Sequence, residues 1–406
     1  MKRRRLIIST SVISLIALLG VLAQGRRAFL ENRAVEALRK SGATVTFDYE
    51  SKGSEKPSVV RDWLKPLLGD GVFGDVNTVM FMYTSPATDA NVAPLSDLPN
   101  LRFVLLSGVG VTNQTAKRLS RIATLEGVNF NNTSVTASGL REMSRCEQLQ
   151  SLSLMGTTID DECLQALMQW PNLKHLQVAR GRISADGLES IGSMQTLRGI
   201  DLFEAGKVED EGLAHLERLT ELESLHVINA PITDSGLRSC AEWRSLRFLR
   251  INSPQITDEG LKHLQGLDQL EFVGFTHSAI EDPVTLAELP NLRDLDLSSS
   301  GISDAGVASL SKSNSITGLR LLWTELTDDS MKHLASLRTL QRLEIGPHVT
   351  ESAAQTLHDA LPSCTIQLID TNGGYGLTLK AGKPSSDQLN HSSAVGDENP
   401  PSDHGP

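Results

Sequence analysis

The sequence predicts an α/β solenoid of about twelve 24-residue repeats, with parallel strands on a concave face and helices on the convex one. Three observations predict it. An apolar run of the form L-x-x-L-x-L begins at Val76, Leu101, Leu125, Leu149, Leu173, Leu197, Leu222, Leu246, Leu270, Leu292, Ile316 and Leu340. The spacing is 24 residues in most intervals, 25 in two and 22 in one. The 406 residues are 39% hydrophobic but only 4% aromatic, so a core must be built from thin aliphatic layers. No single copy could bury its apolar face, whereas stacked copies bury one another's.

Within one copy, the last two apolar residues of the run alternate, as in a strand with one face buried. Ten residues after the first Leu another aliphatic returns to the core (Ile159, Ile183, Ile232, Ile256, Ile280, Ile302, Leu326). A hydroxyl and a carboxylate follow: Thr233-Asp234, Thr257-Asp258, Ser303-Asp304, Thr327-Asp328. A hydroxyl caps a helix start, and a carboxylate in the first turn suits the helix dipole. Apolar pairs three apart (Leu237/Cys240, Leu261/Leu264, Val307/Leu310, Met331/Leu334) then predict two to three helical turns with one buried stripe. The Asp column supplies one carboxylate per repeat, each assigned to its own helix start. Calcium needs several oxygens at one point, so no metal is expected.

The register also places three of the four cysteines. Cys240 takes a helix Leu slot, Cys163 a Gly slot, and Cys146 the slot of Trp170 and Trp243, so all three read as inert core thiols. Cys364 fits no slot. The copy after Ile280 is two residues short and carries Pro283 after Asp282, which suits the first position of a helix.

The ends differ from the array. Lys2, Arg3, Arg4 and Arg5 precede an uncharged stretch, Leu6 to Ala23, and Arg26 and Arg27 follow it. Eighteen helical residues reach ~27 Å, close to the thickness of a bilayer's hydrocarbon. Residues 1–26 therefore read as a membrane anchor, with the tail cytoplasmic and the repeats extracytoplasmic. The alternative is a cleaved signal and a secreted or periplasmic chain. Residues 27–75 read as a capping segment, with a helix over 27–41, an alternating strand over 43–49 (Val45, Phe47, Tyr49) and a short helix from Asp62 to Gly69. The repeats occupy 76–370, with a last strand around Ile366 and Leu368. Residues 371–406 read as a disordered tail after a turn at Asp370–Gly376.

Segments 256–264 (ITDEGLKHL) and 208–216 (VEDEGLAHL) resemble bacterial leucine-rich-repeat proteins of the ribonuclease-inhibitor-like and cysteine-containing subclasses. The resemblance spans roughly Val76 to Asp370. It implies a horseshoe used as a protein-recognition surface. The family's frequent Asn or Cys after the strand is replaced here by Thr133, Thr157, Ala230, Pro254, Ser278, Ser300 and Thr324, so Thr or Ser hydroxyls, or waters, are expected to satisfy those backbone groups in its place.

The net charge of -11 argues against nucleic-acid binding. There is no H-E-x-x-H, G-x-S-x-G or Walker-type loop, and no enzyme or cofactor is expected. The outward strand positions vary most. The first five strands put no charge there, and charges appear from Asp201 onward. The expected site is an aromatic and aliphatic stripe of Phe203, Ile228, Phe248 and Phe272, with His175 and His226 beside it and Arg250, Asp294, Asp296 and Arg320 as its rim. The expectation is a monomeric, non-enzymatic scaffold that binds a protein ligand on the outer side of a membrane. The alternative is an envelope-structural protein or adhesin that binds polysaccharide. Exposed Trp and Tyr platforms are few, which tilts the choice toward protein.

Overall fold

A computed structural model describes residues 26–51, 75–370 and 373–381. The anchor stretch 6–23, the helix expected over 62–69 and residues 382–406 lie outside these. Among the described residues no helix is long and apolar enough to cross a membrane. The chain forms two compact units, divided after Ala230.

In the first unit the described strands are β1 (Thr44–Phe47), β2 (Val76–Met80), β3 (Phe103–Ser107), β4 (Gly127–Asn131), β5 (Ser151–Met155), β6 (His175–Ala179), β7 (Gly199–Phe203) and β8 (Ser224–Ile228). From β2 to β8 they pair parallel in chain order, and β1 pairs antiparallel on β2. Residues 26–40 form a helix whose Ala34, Val35 and Leu38 are buried. The strand expected over 43–49 stops at Phe47. There the Glu50 carboxylate accepts the Phe47 N–H, and Asp48–Ser51 turns into a short helix.

The second unit contains β9 (Phe248–Asn252), β10 (Phe272–Gly274), β11 (Asp294–Asp296), β12 (Gly318–Leu321), β13 (Arg342–Ile345), β14 (Thr365–Ile369) and β15 (Tyr375–Leu379). From β9 to β14 pairing is parallel. β15 turns back antiparallel on β14, so the expected tail from 371 onward instead contributes a closing strand. The reversal is held where Asp370 N–H donates to Gly374 O and Gly374 N–H to the Asp370 carboxylate. Helices here are shorter than expected: Asp234–Leu237 and Asp258–Leu261 each pass directly into a 3₁₀ segment. In the short copy Pro283 precedes the helix Val284–Ala287 instead of opening it.

All four cysteines are buried, and burial pushes their thiols up to about 11 for Cys146, Cys163 and Cys364 and about 12 for Cys240. The slot of Cys364 is now clear. Its N–H bonds to Leu361 O as Leu340 N–H bonds to Leu337 O, while Ile366 pairs with Leu343. Cys364 therefore replaces the first Leu of a run that is one residue short.

The Asp column lies in the first turn of its own helices, as expected, and does more besides. Asp234 accepts from the N–H and Oγ1 of Thr257 in the next repeat at 2.8 and 2.6 Å. Asp161 does the same for Ser184, Asp304 for Thr327 and Asp328 for Thr350. Asp89 holds Thr112 and Thr115. Burial opposes its ionisation, but these hydrogen bonds outweigh that and hold its carboxyl below the usual value. Each carboxylate clamps the following cap. A Cβ at Gly187 or Gly260 would run into Asp161 or Asp234, which explains the recurring glycine. Where Ala137 and Ala185 interrupt the column, the next caps are Asp160 and Glu209 in place of hydroxyls, and Cys163 fits the glycine slot. After the strands, Thr133, Thr157, Ser278 and Thr324 donate their hydroxyls to the carbonyl three residues back, in agreement with the expected substitution for an asparagine ladder.

Candidate functional site

Successive side chains of a strand alternate faces, so the first, third and fifth residues of each strand form three outward rows. Rows one and five stand ~13 Å apart, because a strand advances about 3.3 Å per residue. This geometry divides the expected stripe. Phe203 and Ile228 pair with each other in row five, at the C-terminal ends of β7 and β8. Phe248 and Phe272 pair with each other in row one, at the N-terminal ends of β9 and β10. Each pair occupies a different row of its own unit.

Phe248 of the row-one pair is already engaged. Arg247 lies over the Phe248 ring, 5.3 Å from its centroid, and its guanidinium bonds Glu271 at 2.8 Å. The same trio recurs as Arg102, Phe103 and Glu126 in the first unit. It is a repeated device of the array, and Phe248 keeps 36% exposure.

The expected rim charges are one another's partners. Asp296 is 2% exposed and accepts from Arg250 at 2.9 Å, from Arg320 at 3.3 Å and from the N–H and Oγ of Ser298. Arg320 also binds Glu344 at 2.9 Å, which with Asp296 raises its pKa further above the ordinary arginine value. Asp294 pairs with Arg342 at 2.6 Å. Two of these bridges skip a strand. Arg250 passes across Gly274, and the Asp294–Arg342 pair spans Gly318, where a Cβ would meet both side chains.

In the first unit the third row holds a smaller network. Asp201 accepts from Gln177 at 2.6 Å and lies 2.9 Å from His226 Nδ1. Burial pushes the Asp201 carboxyl up, but hydrogen bonds from His226 and Gln177 and the nearby positive charge of His226 and His175 outweigh it, so its pKa is lowered. His175 is exposed in row one and leans over Gly199.

The C-terminal ends of β4 to β8 enclose a depression of ≈ 430 Å³. Met155, Ala179, Phe203 and Ile228 form its floor, and Asn131, Asn132, Arg180, Glu204, Asn229 and Tyr83 its sides. Ala179, flanked by Met155 and Phe203 in row five, leaves a notch between two larger side chains. Arg180 and Glu204 neutralise each other at 2.8 Å. Tyr83 is 74% exposed and reaches over from the loop after β2 to accept a 3.5 Å contact from Asn132. Asn132, Arg180, Glu204 and Asn229 each follow a strand with φ of 54°, 58°, 52° and 57°. Such left-handed backbone is uncommon for Arg and Glu, and it recurs in the second unit at His277, Ser299 and Trp323, so it belongs to the repeat turn that aims these side chains. The sequence reading found Phe203 and Ile228 but missed Tyr83, Ala179 and the left-handed column. The available signal was the Asn or Gly after three of these five strands (Asn132, Gly156, Asn229).

The repeat geometry has known counterparts. Residues 288–311 match the family described as Leucine Rich repeat. The chain is similar to a structure from the yeast Rad7 and Elc1 complex, at 17% identity and a TM-score of 0.55, covering 91% of this chain and 94% of that one. It is also similar to an internalin from Listeria monocytogenes (18% identity, TM-score 0.48, 76% and 92% covered). A third likeness is to a Leptospira interrogans LRR protein (16% identity, TM-score 0.33, 68% and 91% covered). The fold is a leucine-rich-repeat solenoid. No curated protein sequence matches the chain.

Proposed function

We propose that this chain is a non-enzymatic protein-binding scaffold, displayed on the outer side of a membrane by its N-terminal segment. The observation that carries the binding role is the depression at the ends of β4 to β8. Its floor is apolar, its one ion pair is self-neutralised, and its walls are amides and a tyrosine. An apolar centre with a polar rim is how interfaces gain most of their affinity. The display role is supported by Lys2–Arg5 ahead of the uncharged stretch from Leu6 to Ala23.

The test is crosslinking from membranes with identification of the captured protein by mass spectrometry. Phe203→Ser with Ile228→Ser should weaken capture by about tenfold or more, since central apolar anchors are worth ~2 kcal/mol. Phe248→Ser with Phe272→Ser should leave it within about threefold, because the row-one pair lies outside the depression. The reverse order would move the site to the second unit, and unaltered capture in both variants would end the strand-face reading.

A polysaccharide ligand is favoured by one feature, the exposed Tyr83 ring beside three asparagines. Under that reading Tyr83→Ala abolishes retention on an oligosaccharide column and leaves protein capture intact.

A further inference from the structure

The helix over 26–40 has two opposed faces. Glu31, Ala34, Val35 and Leu38 are buried at helical spacing. Arg26, Phe29, Arg33, Glu36 and Lys40 recur every three or four residues on the other side and are all exposed, Phe29 by 66%. The helix carries five cations (Arg26, Arg27, Arg33, Arg39, Lys40) against two carboxylates, in a chain of net charge -11. Two of those cations are engaged: Arg27 pairs with Asp75 at 3.0 Å, and Arg39 lies 5.8 Å from the Phe47 ring centroid. Glu31 is turned inward, accepting the Val76 N–H at 2.9 Å. What faces solvent is a stripe of three cations, one carboxylate and a phenylalanine.

We propose that this stripe lies on a lipid surface, with Arg26, Arg33 and Lys40 against anionic headgroups and Phe29 at the boundary with the acyl chains. The proposal rests on the membrane reading of Leu6 to Ala23. Only Gln24 and Gly25 separate that uncharged stretch from Arg26, so an anchored chain delivers the stripe to the headgroup region. Charge complementarity points the same way. An acidic protein is repelled by an anionic bilayer everywhere except where it presents a basic patch, and basic residues with an aromatic among them suit the interface. The stripe is ~21 Å long from Arg26 to Lys40, enough to rest on several headgroups.

The test uses the full chain with Glu36→Cys labelled by an environment-sensitive nitrobenzoxadiazole group. The native thiols are buried, with pKa values pushed to about 11 or 12, so the label goes to position 36. Emission is compared in phosphatidylcholine vesicles and in mixed phosphatidylcholine–phosphatidylglycerol vesicles. The anionic vesicles should give higher and blue-shifted emission. Arg33→Glu with Lys40→Glu should return it to the neutral-lipid level, each cation being worth about fivefold in apposition. Phe29→Ser should reduce it in part. Equal emission in the two lipids, or no response to charge reversal, overturns the proposal, and is the result expected if a protein or a second copy covers the stripe. Alkaline extraction separates this from the anchor. A chain that resists extraction but ignores lipid charge keeps the anchor and loses the stripe. A chain that is extracted yet responds to anionic vesicles keeps the stripe and loses the anchor. Thermal melting of the charge-reversed variant should match the parent, since both positions are exposed.

Discussion

The open faces of the two units treat polarity in opposite ways. In the first, β3 to β6 present no carboxylate, lysine or arginine from their outward rows, and the depression at the strand ends carries a single, self-neutralised pair, Arg180–Glu204. In the second, rows one and three hold Arg250, Asp294, Asp296, Arg320, Arg342 and Glu344, all tied to one another. A charged surface in the sequence is therefore not an available one. Glycines at Gly274 and Gly318 let long side chains meet across an intervening strand and consume their own charges. The quieter unit keeps the accessible apolar floor.

Four measurements test that contrast, beginning with the largest effect. Asp296→Ala should destabilise the chain by about 2–4 kcal/mol, because it strips two arginines and the Ser298 N–H of their buried acceptor; the half-exposed arginines keep the loss below the fully buried range. Asp201→Ala should cost about half as much, since only His226 and Gln177 lose a partner. Equal losses in denaturant melts would erase the difference between the two networks. Next, Asp234→Ala should cost about 1–3 kcal/mol by leaving Thr257 N–H and Oγ1 unheld. Ala137→Asp should also destabilise, since the new carboxylate would face Asp160 and crowd Cys163. A stabilising Ala137→Asp would refute the clamp rule.

The third concerns acid. Asp201 has a folded pKa below its unfolded value of about 3.9. Its contribution is thus complete above that value and disappears as pH falls through the folded pKa. Asp201→Asn should flatten this part of the acid limb, read as a smaller fall in Tm between neutral pH and pH of about 3. An unchanged slope would remove Asp201 from the acid response. Smallest is Arg180→Ala. Its pair with Glu204 is 69% and 49% exposed, so stability should move by less than about 0.5 kcal/mol while binding at the depression changes. A large stability loss would make the pair structural.

The repeat array was legible because one-dimensional periodicity carries it: strand starts, returning aliphatics and the caps Thr233, Thr257, Ser303 and Thr327 all fall where spacing puts them. The site was half legible. Phe203 and Ile228 stand out as apolar residues in outward slots, and their offset of six residues from the run starts Leu197 and Leu222, against two for Phe248 and Phe272, already separated the rows; the reading pooled all outward slots into one stripe. Tyr83 was hidden because a loop, not a strand, delivers it. The charge network was hidden because its partners lie about 24 or 48 residues apart, a distance that only stacking converts into contact. The Asp column lies in the first turn of its own helices, as read, but its hydrogen bonds to the cap one repeat ahead were not foreseen, since only stacking brings that cap near.

That offset has a direction. Asp161, Asp234, Asp304 and Asp328 each reach forward to a cap that comes later in the chain. A ribosome delivers the residues in the same order, so every clamp exists before the hydroxyl it will grip has been made. Truncation from either side uncovers an apolar layer, but from the C-terminal side the last clamp is left only as a solvated carboxylate. Truncation from the N-terminal side leaves a helix start without its anchor. The clamps therefore make the array directional, and nested C-terminal deletions should lose less stability than N-terminal deletions of the same number of repeats.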